Sequence, residues 1–332
     1  MKKETLSSIA ARIGVSATTV SRVLRGDAEK YRISDSTRDK VLEEAHRCMY
    51  IPNASAQNLR NSGSGIIGLL IPSISNPFFA EMASVIVTKL REQSYTTIVI
   101  DTMENDNTLI EGVESLISRQ VEGIIAAPSG IDASALERLG HKVPIVLIDR
   151  YYENTTLPYV TTNNFQGAFL ATVKLISAGY REIACIQGAA SSMPNKERIH
   201  GYREAMQKNG LEENCKVVGN DFTIQNGYLE TKLLLNSPAP PKAIFALSNT
   251  IMLGALKAIK ESGLDIPSDI ALLSFDDNMY MDYLTPSIAR VGQPTADMST
   301  LAVKILMDKL SGRSDNHSQI KLLPTFIPGA SI

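Results

Sequence analysis

The chain has 332 residues, with 33 Lys+Arg against 35 Asp+Glu and a formal net charge of −2. That length carries a small domain plus a larger one with its own core. No apolar run is long enough to span a membrane, the opening MKKETLSS lacks the apolar stretch of a signal peptide, and Cys48, Cys185 and Cys215 are widely separated and show no CxxC spacing. These features exclude a membrane span and a thiolate metal site, and a cytoplasmic protein with three structural thiols is expected. The charge is uneven along the chain. Through Ser62 the balance is about +4 and over the remainder about −6, so a mildly basic head precedes an acidic body and suits phosphate contact by one end only.

Residues 5–24, TLSSIAARIGVSATTVSRVL, predict two short helices around a tight turn. Leu6, Ile9, Ala10 and Ile13 recur at helical spacing, Gly14 takes the turn, and Ser16 is placed to cap a second helix that buries Val20, Val23 and Leu24. Ala17, Thr18, Thr19, Ser21 and Arg22 then point outward. Short polar side chains, a methyl group and one guanidinium suit a helix that enters a major groove about 12 Å wide. A third helix from Ser34 is expected to bury Val41, Ala45, Cys48 and Met49 and to close a three-helix core. Residues 1–49 are therefore expected to form a helix-turn-helix DNA-binding domain, with Thr5, Ser16, Ala17, Thr18, Thr19, Ser21 and Arg22 as its DNA-facing residues; a generic helical hairpin of a three-helix domain is the structural alternative. Between the second and third helices, GDAEKYRIS carries Lys30 and Arg32, which fit either phosphate contact or a solvated loop.

Tyr50-Ile51-Pro52-Asn53 breaks the third helix, and residues 50–63 read as a hinge segment. Asn53 is placed to cap a short helix over Ala54–Arg60, where Ala54, Ser55 and Ala56 are small enough for close approach to an identical segment. Two turns are too short to be stable alone, so a partner and DNA would have to order them. Leu59 is the type of residue that wedges between base steps in a minor groove; an ordinary linker is the bland alternative. Together, the helix-turn-helix and YIPNASAQNLR resemble the lactose/galactose repressor family of bacterial transcription regulators. The resemblance runs the whole length of the chain. It implies a homodimer on palindromic operator DNA, contacted in the hinge by Asn53, Ala56 and Leu59, with the Leu at the operator centre. The loop after the second helix is a few residues longer than the family's usual pattern.

From Ile66 the runs IIGLLIP, TTIVID, GIIAAP, PIVLID, EIACIQG, AIFALS, IALLSFD and IARVGQP alternate with amphipathic stretches such as FFAEMASVIVTKLREQ. Apolar strands spaced by helices predict parallel sheets with helices on both faces. The strands are too many for one compact mononucleotide fold, so an α/β core over 64–332 with two lobes is expected: a first lobe of 64–163 and 293–326 and a second of 164–292, hinged near Asn163 and Gly292. It resembles the sugar-sensing core of periplasmic ribose-type binding proteins. Gly63-Ser64-Gly65-Ile66-Ile67-Gly68 satisfies GxGxxG, but the glycines precede the strand instead of following it, so no dinucleotide cofactor is expected.

In open α/β sheets ligands bind beyond the carboxyl ends of strands. Those positions hold Asn76, Phe78 and Phe79 after the first strand, Asp149 and Arg150 after PIVLID, Phe222 in the GNDF segment, Ser248 after AIFAL, Asp276 after IALLSF, and Gln293 past the later crossover. Arg198 joins them from the helix beginning near Pro194. Aromatic faces and multiply bonding polar groups suit the CH faces and hydroxyl rim of a monosaccharide. Each residue also has a structural alternative: Phe78 or Phe79 in the core, Asp149–Arg150 as a surface pair, Arg198 on a solvated helix face, Gln293 satisfying backbone. The NPFF, DR, KER, DF and FDD groups match ribose-type binding proteins, whereas Ser248-Asn249 departs from the usual Asn-Asp. Two Arg in one site also fit an acidic sugar or a sugar phosphate.

His46, His141, His200 and His317 fall in unrelated contexts, at neither metal-ligand nor nucleophile spacing, and no metal, cofactor or enzyme activity is expected. The chain end, LLPTFIPGASI, lacks a heptad-bearing helix, so a tetramer is not expected. The expected function is a cytoplasmic homodimeric regulator, a repressor of carbohydrate-utilisation genes, allosterically controlled by a small sugar-like effector between the lobes. Alternatives are a co-repressed or activating regulator responding to a nucleobase, a nucleoside or a partner protein. A sugar-binding transport protein or an enzyme is more remote.

Overall fold

The computed structural model describes residues 4–50, 63–313 and 318–332. The expectations for Asn53, Ala56 and Leu59, for the helix over Ala54–Arg60 and for His317 lie outside the described residues. The chain divides into two compact units, Met1–Ser64 and Gly65–Ile332.

In the first unit, α1 (Leu6–Ile13), α2 (Ala17–Leu24) and α3 (Asp35–Arg47) pack around Ile9, Ala10, Val20, Val23, Ala28, Val41 and Ala45. Local sequence explains each boundary. Thr5 and Ser8 form a reciprocal capping box at α1, and Gly14 ends it with φ +72, a conformation that penalises any Cβ. Ser16 and Ser34 accept from the backbone N–H groups of Thr19 and Thr37 and so cap α2 and α3. Leu6, Ile13, Leu24 and Cys48 are half-buried at the margin of this core. One expectation is corrected here. Met49 is 82% exposed, because α3 ends at Arg47 and the chain reverses through φ +47 at Met49 itself.

The second unit holds two sheets. In the first, order β11-β5-β4-β3-β1-β2, β1 (Ile66–Ile71), β2 (Thr96–Asp101), β3 (Gly123–Ala126), β4 (Ile145–Ile148), β5 (Tyr159–Thr162) and β11 (Gln319–Leu322) all run parallel. The second, order β12-β10-β9-β8-β6-β7, contains β6 (Ile183–Ile186), β7 (Lys216–Val218), β8 (Ala243–Ala246), β9 (Ala271–Phe275), β10 (Ala289–Gly292) and β12 (Thr325–Ile327). Only β12 pairs antiparallel. The first sheet is covered by α4 (Pro77–Glu92), α5 (Asp106–Ser118), α6 (Ser134–Gly140) and α11 (Thr295–Leu310). The second is flanked by α7 (Asn164–Ser177), α8 (Met193–Lys208), α9 (Ile224–Leu235) and α10 (Asn249–Glu261).

The period of two along β1 shows why both faces must be covered. Ile67, Leu69 and Ile71 pack toward α4 and α11, while Leu70 packs toward α5 and α6. The chain crosses between lobes at Asn163, at Gln293–Pro294 and a third time at Leu323–Pro324. That third crossing places β12 in the second sheet, so the first lobe's returning segment stops at Leu322 and not at residue 326. Gly68 lies inside β1, and no helix opens from the GxGxxG glycines.

Candidate functional site

A partly open cleft lies between the two lobes of the second unit. Asn76, Phe78, Phe79, Asp149, Arg150, Arg198, Phe222, Ser248, Asp276 and Gln293 all line it, joined by Ser192 and Pro194. The first lobe supplies Asn76, which caps α4 by accepting from the Phe78 N–H, and the edge-to-face pair Phe78–Phe79, with centroids 5.1 Å apart. Both rings also belong to the core beneath β1, so core and cavity are not alternatives for them.

Asp149 and Asp276 occupy equivalent places in the two lobes, directly after β4 and β9. Both adopt left-handed backbone, φ +61 and +74, which turns each carboxylate off the end of an apolar strand. The Asp149 main chain is clamped by its N–H to Val160 O, 2.9 Å, and by the Thr161 hydroxyl donating to its carbonyl, 2.5 Å.

The two carboxylates differ in what they have left to offer. Asp276 is engaged at both oxygens: Oδ2 accepts from the Asn249 N–H at 3.1 Å and Oδ1 from Gln293 Nε2 at 2.7 Å. Gln293 in turn accepts from the Thr162 hydroxyl at 2.6 Å. By contrast, Asp149 Oδ1 is buried without a hydrogen-bond partner, and so is Ser192 Oγ. Burial pushes the Asp149 carboxyl up to about 6, against the opposing pull of Arg198 and Arg150.

Both arginines are buried and already committed. Arg150 forks onto Glu104 through both terminal nitrogens, also donates to Ser129 Oγ at 3.2 Å, and lies 5.4 and 5.2 Å from the Phe79 and Phe222 ring centres. Arg198 donates to Asn164 Oδ1 at 2.8 Å and to the Leu247 carbonyl at 2.6 Å, approaches Asp276 at 3.9 Å, and stacks 3.7 Å over Phe275. Burial lowers its pKa, opposed by Asp276 and Asp149. Ser248 caps α10 and shares a hydrogen bond with the Thr250 hydroxyl, which donates to the Phe222 carbonyl.

Phe222 reaches the cavity over Gly188, where any Cβ would fall 2.2–2.4 Å from its ring. The lobes are also bridged by direct hydrogen bonds. Glu197 on α8 accepts from Tyr151 OH at 2.9 Å and from Lys321 Nζ at 2.5 Å, and Asn249 Nδ2 donates to Asn76 Oδ1 at 3.2 Å.

Two cavity-lining residues were not predicted from the sequence: Ser192 in the turn between β6 and α8, and Pro194 in the first turn of α8. A signal was present, since this turn also follows a strand's carboxyl end. Glu104 was also missed, since its fork onto Arg150 spans 46 residues and leaves no local trace. Among the described residues no cluster of His, Cys, Asp and Glu is arranged to hold a metal ion.

In the first unit, Thr18 is exposed on α2, while Thr19, Ser21 and Arg22 are half-buried; Ala17 is half-buried against the core. Thr5 and Ser16 spend their hydroxyls on capping, and Ser16 shares a hydrogen bond with Thr19 Oγ1 at 2.9 Å. Arg12, Arg38 and Arg47 pair internally with Glu4 and Glu44, Asp35 and Asp39, and Glu44. Lys30, Arg32 and Lys40 have no ion-pair partner among the described residues.

Residues 5–53 match the family described as bacterial regulatory proteins, lacI family, and residues 64–320 match periplasmic binding proteins and sugar binding domain of LacI family. The ribose operon repressor of Haemophilus influenzae is 30% identical over 329 residues, 99% of this chain and 98% of that protein. Catabolite control protein A of Priestia megaterium is 30% identical over 96% of each chain. Among solved structures, the lac repressor dimer bound to operator and the anti-inducer ONPF shares the fold, with a TM-score of 0.88, 24% identity and 99% coverage of both chains. A LacI family transcriptional regulator from Enterococcus faecium with bound ribose aligns with a TM-score of 0.74 at 26% identity, covering 80% of this chain and 98% of that one. A capped helix-turn-helix followed by a two-lobed core with a polar, aromatic-walled cleft, matched along nearly its whole length, makes this chain a member of the LacI family of DNA-binding transcription regulators.

Proposed function

We propose that the protein is a cytoplasmic, non-enzymatic repressor of carbohydrate-utilisation genes that acts as a homodimer on palindromic DNA and is controlled by a neutral, hydroxyl-rich effector of monosaccharide size. One observation carries the effector class: Asp149 Oδ1 and Ser192 Oγ are buried and unpartnered, and both residues line the same cleft as three aromatic rings. An ionised carboxylate only accepts, so its missing partner is a donor, and a sugar hydroxyl supplies one. The charge balance favours a neutral sugar over an acidic sugar or a sugar phosphate. Arg150 is committed to Glu104, Arg198 lies beside Asp276, and Asp149 adds a further negative charge, so an anionic ligand would meet carboxylates without a free guanidinium fork. The aromatic walls Phe78, Phe79 and Phe222 fit CH faces.

In this reading Asn76, Asp149, Arg150, Arg198, Ser248, Asp276 and Gln293 supply the polar rim. Thr18, Ser21 and Arg22 on α2 reach base edges, with Arg22 donating a bidentate pair to guanine. The experiment is a thermal-shift panel of neutral pentoses and hexoses, uronic acids, sugar phosphates, nucleosides and purines. A neutral sugar should raise the melting temperature of the wild type and leave Asp149→Asn unmoved. Stabilisation by charged sugars or purines alone would replace this effector class with theirs.

A further inference from the structure

The α2–α3 connection, Arg25–Ser34, is a built loop. Its backbone folds on itself through Asp27 N–H to Arg22 O (3.0 Å), Tyr31 N–H to Asp27 O (3.2 Å), Arg32 N–H to Glu29 O (3.0 Å) and Ile33 N–H to Ala28 O (2.9 Å). Ala28 pins it into the three-helix core at 6% exposure. Those bonds bring Tyr31 back over α2. The Arg22 guanidinium lies 3.8 Å from the centre of the Tyr31 ring, and Lys30 Nζ lies 5.7 Å from it. Tyr31 itself is 42% exposed, a large apolar surface left outside the core.

The contact is selective. Arg12, Arg38 and Arg47 are tied to carboxylates, and Arg25 donates to Ser21 O and reaches Asp27 at 3.9 Å. Arg22 has no carboxylate partner among the described residues. A ring stacked on a guanidinium restrains its plane yet consumes none of its five N–H donors, which lie in that plane. A carboxylate would have used up the fork, and open solvent would have left the long side chain free to rotate.

We infer that Tyr31 is a positioning residue for DNA recognition: it presents the Arg22 fork to a base edge in the major groove, and so contributes to sequence discrimination without itself reading a base. The inference rests on the proposal that Arg22 reads DNA. Ordering the guanidinium before encounter removes rotamer entropy that binding would otherwise spend, and the benefit falls only on duplexes that accept both donors. The gain therefore belongs to specific binding, not to phosphate attraction, which any cation supplies.

The test uses the full-length protein and a duplex selected by it from a random pool, with a scrambled duplex of equal length as reference. Tyr31→Ala is expected to weaken binding to the selected duplex by about threefold to tenfold, to leave the scrambled duplex and the salt dependence unchanged, and to keep the first unit folded. Tyr31→Phe keeps the ring and should retain wild-type affinity. In an Arg22→Ala background, Tyr31→Ala should have no further effect. Equal loss on both duplexes would overturn the inference in favour of a loop contact to phosphate. Failure of Tyr31→Phe would overturn it in favour of a direct hydroxyl contact, and an additive double mutant would show that Tyr31 acts independently of Arg22. Should Arg22→Ala alone leave selected-duplex affinity intact, the base-reading role of Arg22 falls first, and the role of Tyr31 with it.

Discussion

Asp149 is the residue at which stability and recognition pull apart. Its carboxyl is pushed up to about 6 from an ordinary 3.8, chiefly by burial, so the ionised form is costly in the folded chain. The folded state therefore binds the proton more tightly than the unfolded one. The stability cost is fully present above about pH 6 and disappears as pH falls toward about 4. Asp149→Asn removes that cost and keeps a side chain that tolerates φ +61. At pH 7 it is expected to stabilise the second unit by on the order of 1–3 kcal/mol, read by denaturant melts, while losing the thermal response to the effector. In the wild type, effector affinity should be flat above about pH 7 and fall toward tenfold per pH unit below about pH 6, as calorimetric titrations would show. A pH-independent affinity would remove the ionised Asp149 from the contact set.

Glu104 is the second residue with a separable role. It pairs with the cavity-lining Arg150, so Glu104→Gln should release one guanidinium. Relative affinity should then shift from a neutral sugar toward its uronic acid or phosphate ester, by about tenfold in the ratio. An unchanged ratio would mean that Arg150 never faces the ligand.

At the scale of elements, the site depends on how strand ends and turns are shaped. Phe222 is carried by the turn between β7 and α9 and seated on Gly188, two residues past β6. Gly188→Ala would force that ring aside. A loss of effector affinity of at least about tenfold is expected with only a small change in melting temperature, since Phe222 is half-buried and its turn is exposed. An unaltered affinity would show that the ring is not a wall of the bound state.

The same scale explains what could be read in advance. Asp149, Arg150 and Asp276 were legible because charged residues directly after strongly apolar strands have little other reason to stand there. Asn76 and Ser248 were legible as caps at the same sheet edge. Ser192 was not, because a serine in a turn of small residues looks like any other, and its orphaned hydroxyl exists only once α8 has packed. β5, β7, β11 and β12 escaped notice because three- or four-residue strands such as YVTT, KVV and TFI carry no apolar run of their own. The third crossover went with them. Met49 misled for a related reason: its spacing continues the apolar face of α3, but the helix stops two residues earlier.

At the scale of the whole molecule, the cavity matters only if its occupancy biases DNA binding. The lobes are bridged by Glu197 to Tyr151 and Lys321 and by Asn249 to Asn76, none of which needs a ligand. The effector is thus expected to shift a pre-existing balance between lobe arrangements, and its influence on DNA equals its difference in affinity for the two. By linkage, DNA must change effector affinity by the same factor.

The most direct measurement is the anisotropy-based affinity of the full-length protein for its selected duplex, with and without a saturating neutral sugar that stabilises it, in the wild type and in Asp149→Asn. The account predicts a change of about 5- to 150-fold in the wild type and none in the variant, with ligand-free DNA affinity the same in both. A saturated cavity that leaves DNA affinity unchanged, or a response that survives Asp149→Asn, would contradict it.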